Sequence, residues 1–267
     1  MRQPEVFFHV GLPKTGTTYL QRLIFPNLKG IQFYKKRLYD KHHDIIQNSD
    51  YDKYLFSCEF DKPLKERLLQ IKINYPQAKI IVCFRPQVAW LASRYRYHIR
   101  KFGGATWAEF FSARNNDAIW KAEELYYMDI VNYIIEHFSE PPLVLNFESL
   151  KTDKKRFWNK IEEYTSTKLD SSFKDKIIKQ NFDDKSLYVL RKFNRWRKYE
   201  HLPNSFPKFI RKTHYKLNEL VLHMVVFYTK FLSKSVMNGE ELLSKQSLEE
   251  VGVLYQEDWS KIEELGK

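Results

Sequence analysis

Val6, Phe7, Phe8, His9 and Val10 make a nearly continuous apolar run of strand length, and a tight loop rich in Gly, Pro and Thr follows it. Leu20, Leu23, Ile24 and Leu28 then recur at the spacing of one helix face, so the pattern predicts strand, loop, helix. Ile31 to Tyr34 reads as a short extended piece, and Asp40 to Asp52 as a polar segment that holds His42 and His43. Tyr54 to Glu59 reads as a second strand ending in a carboxylate. Leu68, Leu69 and Ile73 give Lys65 to Tyr75 a helical period, which Pro76 stops. Lys79 to Arg85 is apolar nearly throughout, as a central parallel strand covered on both faces is. Pro86 suits the first turn of a helix carrying Val88 to Lys101, and Gly103-Gly104 ends it.

Thr106 as N-cap with Glu109 three residues on predicts a capping box and a helix from Thr106 to Arg114. A helix from about Glu123 to Phe138 leads through Pro141-Pro142 to a fourth strand, Leu143 to Phe147. Strands alternating with helices predict an α/β fold with a central parallel sheet flanked by helices. Beyond Lys151 the pattern turns mostly helical. Leu217 to Leu232 is apolar but interrupted by Glu219, His223 and Lys230, which fits a buried or amphipathic helix better than a membrane span. Leu248 to Leu265 reads as a closing amphipathic helix. No internal repeat, low-complexity tract or clear linker is visible. The expectation is one domain over 1–267, with an α/β core at 1–150 and a helical, basic part at 151–267.

Composition adds a globular class and a sign of charge. The 267 residues are 43% hydrophobic, with 20 Phe, 17 Tyr and 6 Trp, enough for a sizeable core and unlike a disordered chain. The net charge of +12, from 45 basic and 33 acidic residues, favours an anionic partner: a nucleotide, an acidic glycan, nucleic acid or a membrane surface. Much of it sits between Lys185 and Lys216, where ten Lys and Arg face a single acid, Glu200. Cys58 and Cys83 lie in apolar runs that read as strands, at no metal spacing and without a disulfide framework, and read as reduced, buried thiols. No signal-peptide core and no apolar run of about 18 residues is present, so a cytoplasmic protein is the default expectation.

The chemistry gathers at two places. Gly11 and Gly16 have the spacing of the nucleotide-phosphate loop G-x-x-x-x-G-K-[ST], but Thr17 stands where that loop has its Lys. The loop lysine is Lys14, before the second Gly, followed by Thr15, Gly16, Thr17 and Thr18. A lysine there reaches the outer, bridging side of a bound phosphate. A sulfuryl group carries less charge than a terminal phosphoryl group, so a lysine can serve where a kinase uses magnesium. At the second place, Arg85 stands at the C-terminal end of the third strand, where ligands bind in open α/β sheets. Ser93 follows about two helical turns later. A guanidinium offers paired donors to a phosphate, and a serine hydroxyl adds a third.

The string Pro13-Lys14-Thr15-Gly16-Thr17-Thr18 resembles the 5′-phosphosulfate loop of sulfotransferases that use 3′-phosphoadenosine 5′-phosphosulfate (PAPS). Arg85, Pro86, Ser93 and Tyr95 resemble the element of that family that holds the 3′-phosphate. The resemblance covers about Glu5 to Lys101 well and extends loosely to Leu150. Leu143 to Glu148 is similar to the strand ending in Phe-Glu of many bacterial members. Asn181 to Ser186 with Arg191 to Asn194 is similar to their Asn-x-Ser and Arg-x-x-Asn segment, which implies that Lys185, Ser186, Arg191 or Lys192 closes over the cofactor. A solvated basic helix is the alternative there. The C-terminal Gly-rich signature of cytosolic aryl and steroid sulfotransferases is absent, which brings the chain nearer the bacterial and Golgi-type carbohydrate enzymes.

The resemblance implies a P-loop NTPase-like three-layer fold and sulfuryl transfer from PAPS to an acceptor hydroxyl, on a carbohydrate or glycoconjugate. No metal and no nucleic-acid partner are expected. Such chemistry needs a cation at the bridging oxygen of the departing 3′,5′-adenosine diphosphate (PAP) and a base for the acceptor proton. Lys14 is the candidate cation. Glu59 is the first candidate base, with a helix N-terminal acid as the alternative role; His42 and His43 are the second. The basic, aromatic C-terminal part suits an acidic glycan, or a lipid-linked one at a membrane surface. Two other classes remain open: a P-loop nucleotide kinase, marked by magnesium dependence, and a non-enzymatic basic module for nucleic acid or another polyanion, marked by salt-sensitive binding.

Overall fold

A computed structural model describes residues 3–113, 117–170, 172 and 182–267. Its first unit comprises Met1–Trp90, Leu125–Ile178 and Leu254–Lys267. At the centre lies a five-stranded parallel sheet made of β1 (Glu5–His9), β2 (Gln32–Lys35), β3 (Lys53–Ser57), β4 (Lys79–Phe84) and β5 (Leu143–Asn146), in the order β2-β3-β1-β4-β5. The extended piece at Ile31 to Tyr34 is thus an edge strand. The β1–β3 register pairs Phe7 with Leu55 and Phe8 with Phe56. Successive side chains leave a strand on opposite faces, so Phe7, Leu55, Ile81, Cys83 and Leu145 form one wall of the core with Leu20, Ile24 and Phe25. Phe8 and Phe56 form the other, packed with Tyr39, His42 and Tyr75.

Helices cover both faces: α1 (Leu64–Asn74), the start of α2 (Gln87–Arg100), α3 (Tyr127–His137) and α4 (Lys154–Thr165). The helix expected after the glycine loop is shorter and less regular than its periodicity predicts. It consists of an α turn (Thr17–Tyr19), a wider π turn (Leu20–Ile24) and a tighter 3-10 turn (Phe25–Asn27). Pro26 lacks the N–H that continued α-helix requires, and Leu28 passes into a two-residue antiparallel pairing with Leu169.

The second unit comprises Leu91–Glu124 and Lys179–Val253. It holds the remainder of α2, α5 (Asp184–Arg197), α6 (Lys208–Thr229) and α7 (Lys245–Leu254). The Asn194 amide donates to the carbonyls of Ile99 and Gly103 at 2.8 and 3.0 Å, which closes the C-terminal end of α2. The capping box at Thr106 and Glu109 is present, but its helix spans only Trp107–Phe110; Phe111 turns extended, and Arg114 lies outside the described residues. The units interleave along the chain, changing over at 90/91, 124/125, 178/179 and 253/254.

The closing helix is two. α7 ends at Leu254, and α8 (Gln256–Leu265) belongs to the first unit. Asp258 explains the return. Its buried carboxylate accepts from Gln87 Nε2 at 2.6 Å and from the amides of Tyr127 and Met128 at 3.0 Å each, capping the start of α3 from another element. Among the described residues no helix is long and apolar enough to cross a membrane.

His9 gives this fold a pH signature. Gln21 Nε2 donates to the Ser57 hydroxyl at 3.0 Å, and that hydroxyl lies 2.7 Å from His9 Nδ1. Burial pushes the His9 imidazole down to about 3. The folded protein therefore keeps His9 neutral where an unfolded chain, titrating near 6.5, takes up a proton. Stability falls as pH drops below about 6.5, by about 1.4 kcal/mol per unit. Urea unfolding at pH 7.5 and pH 5 is expected to show wild type losing about 2 kcal/mol more than His9→Gln. Equal losses would show that this histidine is not held neutral by the fold.

Candidate active site

Past β1 the chain does not fold back on itself; it is fastened to β4. Leu12 N donates to Cys83 O at 3.1 Å, and Cys83 N donates to Gly11 O at 2.8 Å. The Cys83 thiol donates to Thr15 O at 3.1 Å, and burial pushes that thiol up to about 12, so it keeps its proton. The Trp90 indole N–H donates to Pro13 O at 2.7 Å. Inside the loop the buried Thr15 hydroxyl donates to Leu12 O at 2.6 Å, so it serves the shape of the loop. Cys58, by contrast, stands just past β3 and is only half-buried.

Three residues of the loop have positive φ: Gly11 at 121°, Lys14 at 70° and Gly16 at 80°. For a lysine this conformation costs about 1–2 kcal/mol, a strain that collects at ligand clamps. At Gly16 it has a steric reason as well, because a Cβ would meet the Phe147 ring at 2.6 Å. The first helical turn starts at Thr17, which is buried, with Thr18 exposed beside it. Amides of a first turn have no intrahelical acceptor, and the end of the helix carries partial positive charge. Gly16 lets the chain enter this turn with Phe147 packed against it.

Phe147 also links the loop to Arg85, whose guanidinium lies over that ring at 5.2 Å. Arg85 directly follows β4, as its sequence position predicts. Its Nε donates to Glu148 Oε1 at 3.0 Å, a bond that does not use the terminal Nη donors. Burial raises the Glu148 carboxyl, but Lys151 and Arg85 outweigh it and hold the group below the ordinary range. Glu148 was visible in sequence only as the end of a strand motif. Its pairing with an arginine 63 positions earlier leaves no local signal.

Glu59 stands two residues past β3, exposed. Its neighbours extend the sheet pairing: Cys58 N donates to His9 O and Phe60 N to Val10 O, both at 3.0 Å. The backbone at Glu59 therefore runs alongside the entrance of the loop. His42 and His43 open a short helix, His42–Gln47. His42 is half-buried among Phe8, Tyr39, Phe56 and Tyr75, and burial lowers its affinity for a proton. His43 is exposed, 2.8 Å from Gln47 Nε2.

The remaining candidates belong to the second unit. Ser93 is half-buried in α2. Ser186 is buried, bonded to Asp183, the N-cap of α5, and to Thr229 at 2.7 Å. Lys185 donates to Leu232 O at 2.8 Å. Arg191 donates to the Tyr95 hydroxyl at 3.2 Å and pairs with Glu240 at 3.6 Å. Lys192 lies over the Tyr188 ring at 4.5 Å. Asn181 lies outside the described residues. Among the described residues no group of three or more His, Cys, Asp or Glu is placed to hold a metal ion.

A parallel sheet with an anion-shaped glycine loop after its central strand, and an anchored arginine after the strand beside it, defines an α/β enzyme built to handle an anionic group. The family model described as the sulfotransferase domain matches residues 4–216, and the chain belongs to that family. Among solved structures, a sulfotransferase from Alicyclobacillus acidocaldarius is similar with a TM-score of 0.51 and 16% identity, over 66% of this chain and 87% of that one. Mouse sulfotransferase SULT7A1, solved in complex with PAP, is similar with a TM-score of 0.50 and 15% identity, over 99% of this chain and 89% of that one. Identities this low speak to the fold, which is that of the sulfotransferases. No curated protein matches the sequence.

The loop geometry gives a direct test. Gly30 is also left-handed, at φ 78°, but nothing lies within 4 Å of a Cβ there. Gly30→Ala is expected to cost about 1 kcal/mol in urea unfolding, the backbone contribution alone. Gly16→Ala should cost about 1–3 kcal/mol more, because the Phe147 ring must move. Equal costs would mean that Phe147 does not press on the loop.

Proposed function

We propose that this sulfotransferase moves a sulfuryl group from PAPS to an acceptor hydroxyl on a carbohydrate or glycoconjugate. The observation that carries the reading is the loop itself. A left-handed lysine precedes a glycine that admits no side chain, and an arginine anchored through Nε stands across Phe147. The residues present fit such a donor: a tight loop leading into helix amides for the 5′-phosphosulfate, and a guanidinium with its Nη edge unused by Glu148 for the 3′-phosphate.

Bound PAPS supplies an activated sulfuryl group and a leaving phosphate. Gly11, Gly16 and the amides from Lys14 to Thr18 form the cradle for that phosphate. The Thr17 and Thr18 hydroxyls extend it. Lys14 neutralises charge that grows on the bridging oxygen as the bond to sulfur breaks. Arg85 binds the 3′-phosphate through paired N–H donors, with Glu148 fixing the plane of the guanidinium. Ser93, and Lys185, Ser186, Arg191 or Lys192, are the further cofactor ligands that the family motifs assign. The Ser186 and Arg191 bonds within the second unit make those two the weaker candidates.

Glu59 is the favoured base. It is exposed beside the loop entrance, whereas His42 is built into aromatic packing. Its carboxylate takes the acceptor proton as the oxygen attacks sulfur. The carbohydrate class follows from the basic balance of the chain, +12, and from the resemblance to carbohydrate enzymes.

Transfer of label from [35S]PAPS to panels of carbohydrate, glycolipid, phenol and steroid acceptors tests this reading. Label is expected on the first two, and label confined to phenols or steroids would overturn the acceptor class. Glu59→Gln is expected to lower kcat by about 10²–10⁴ while leaving PAP affinity within about twofold. His42→Asn and His43→Asn should stay within about tenfold of wild type. Full turnover in Glu59→Gln would remove Glu59 as the base.

A further inference from the structure

The outward face of α6 is apolar where a helix facing water is ordinarily polar. Its inward face buries Asn218, Leu222 and Thr229. On the other side Leu217, Leu220, Met224, Phe227 and, just past the helix, Phe231 are exposed by 50–74%. Steps of three, four, three and four residues put them on one stripe. Phe209, 70% exposed, extends the stripe about two turns toward the N-terminus.

One flank of the stripe is cationic. Lys208, Lys212, Lys216 and Lys230 are all exposed there. Glu219, the acid of that flank, is taken up by Lys101 and by the Tyr215 hydroxyl, each at 2.8 Å. The helix has 22 residues and no window apolar enough to span a bilayer. An exposed apolar stripe beside a row of lysines, on a helix that cannot span, is the pattern of a helix lying in the plane of a membrane interface.

We infer that α6 docks flat on an anionic lipid surface. The stripe from Leu217 to Phe231 enters the boundary between headgroups and acyl chains, and the lysine row meets the lipid charges. Charge complementarity selects this occupant. A second copy packed antiparallel on the same face would set the two lysine rows side by side, which is repulsive, whereas an anionic surface meets the row with opposite charge. The inference stands apart from the sulfotransferase reading and does not depend on it.

Sedimentation with vesicles tests it, using phosphatidylcholine alone against phosphatidylcholine with phosphatidylserine. The intact chain is expected to bind the anionic vesicles, and raised salt should weaken that binding. Lys212→Gln with Lys216→Gln should lower partition about thirtyfold, taking roughly fivefold for each lysine at an anionic surface. Phe227→Ser with Phe231→Ser should abolish binding at any salt. All four side chains are exposed, so unchanged thermal melting will show that the variants fold. No binding to anionic vesicles at low salt, or equal binding by all variants, would overturn the inference. A dimer in sedimentation velocity that is lost in the Phe227→Ser, Phe231→Ser variant would also overturn it, by showing that a second copy covers this face.

Discussion

The loop after β1 has the shape it has because β4 holds it. Four bonds cross between them or from the helix that β4 leads into: Leu12 N to Cys83 O, Cys83 N to Gly11 O, the Cys83 thiol to Thr15 O, and Trp90 to Pro13 O. Three of the four anchors are backbone groups or a thiol too buried to ionise. Each is formed without water in competition, where a hydrogen bond is strongest and its loss most costly. That fixed base allows Lys14 and Gly16 to stay left-handed and lets the chain turn directly into the helical residues that follow. The core beneath exists to keep β1 and β4 in register. Its apolar walls, Phe7 with Ile81 and Cys83 on one face and Phe8 with Phe56 on the other, leave little room for either strand to slip.

Arg85 shows how the site divides binding from support. A bare guanidinium at a strand end is mobile, and ordering it on binding costs affinity. Glu148 and the Phe147 ring hold one edge and one face in advance. The carboxylate can do this without surrendering to a proton, because Lys151 and Arg85 together keep it ionised. Phe147 touches both sides of the problem. Its ring bars a side chain at Gly16 and carries Arg85, so one aromatic residue couples the two halves of the cofactor reading.

Much of this was legible in the order of residues. β1, β3, β4 and β5 announced themselves as apolar runs, and the loop by its two glycines and displaced lysine. What could not be read were relations between distant positions. Glu148 finds Arg85, and Asp258 finds the amides of Tyr127 and Met128, through tertiary packing that leaves no periodic trace. The broken helix at 17–27 was masked by a regular apolar spacing, although Pro26 stood inside it. The split between α7 and α8 carries no Pro; Gly252 stands in the last turn of α7, and the break falls at Tyr255, whose ring is buried. The histidines illustrate a limit of composition. His42 and His43 carry the right chemistry for a base, but the position of His42 in aromatic packing is a fact of the fold alone.

The central claim is that the loop and Arg85 together recognise a sulfonucleotide by its two phosphates. Isothermal titration with PAP, with and without EDTA, tests it most directly, with adenosine 5′-monophosphate and ATP as competitors and Lys14→Ala and Arg85→Ala as variants. The account predicts micromolar binding that requires the 3′-phosphate, is unchanged by EDTA, and weakens at least tenfold in Arg85→Ala, the loss of a charge-assisted pair worth about 1.5–3 kcal/mol. Tighter binding of ATP with magnesium, or PAP affinity indifferent to Arg85, would contradict it.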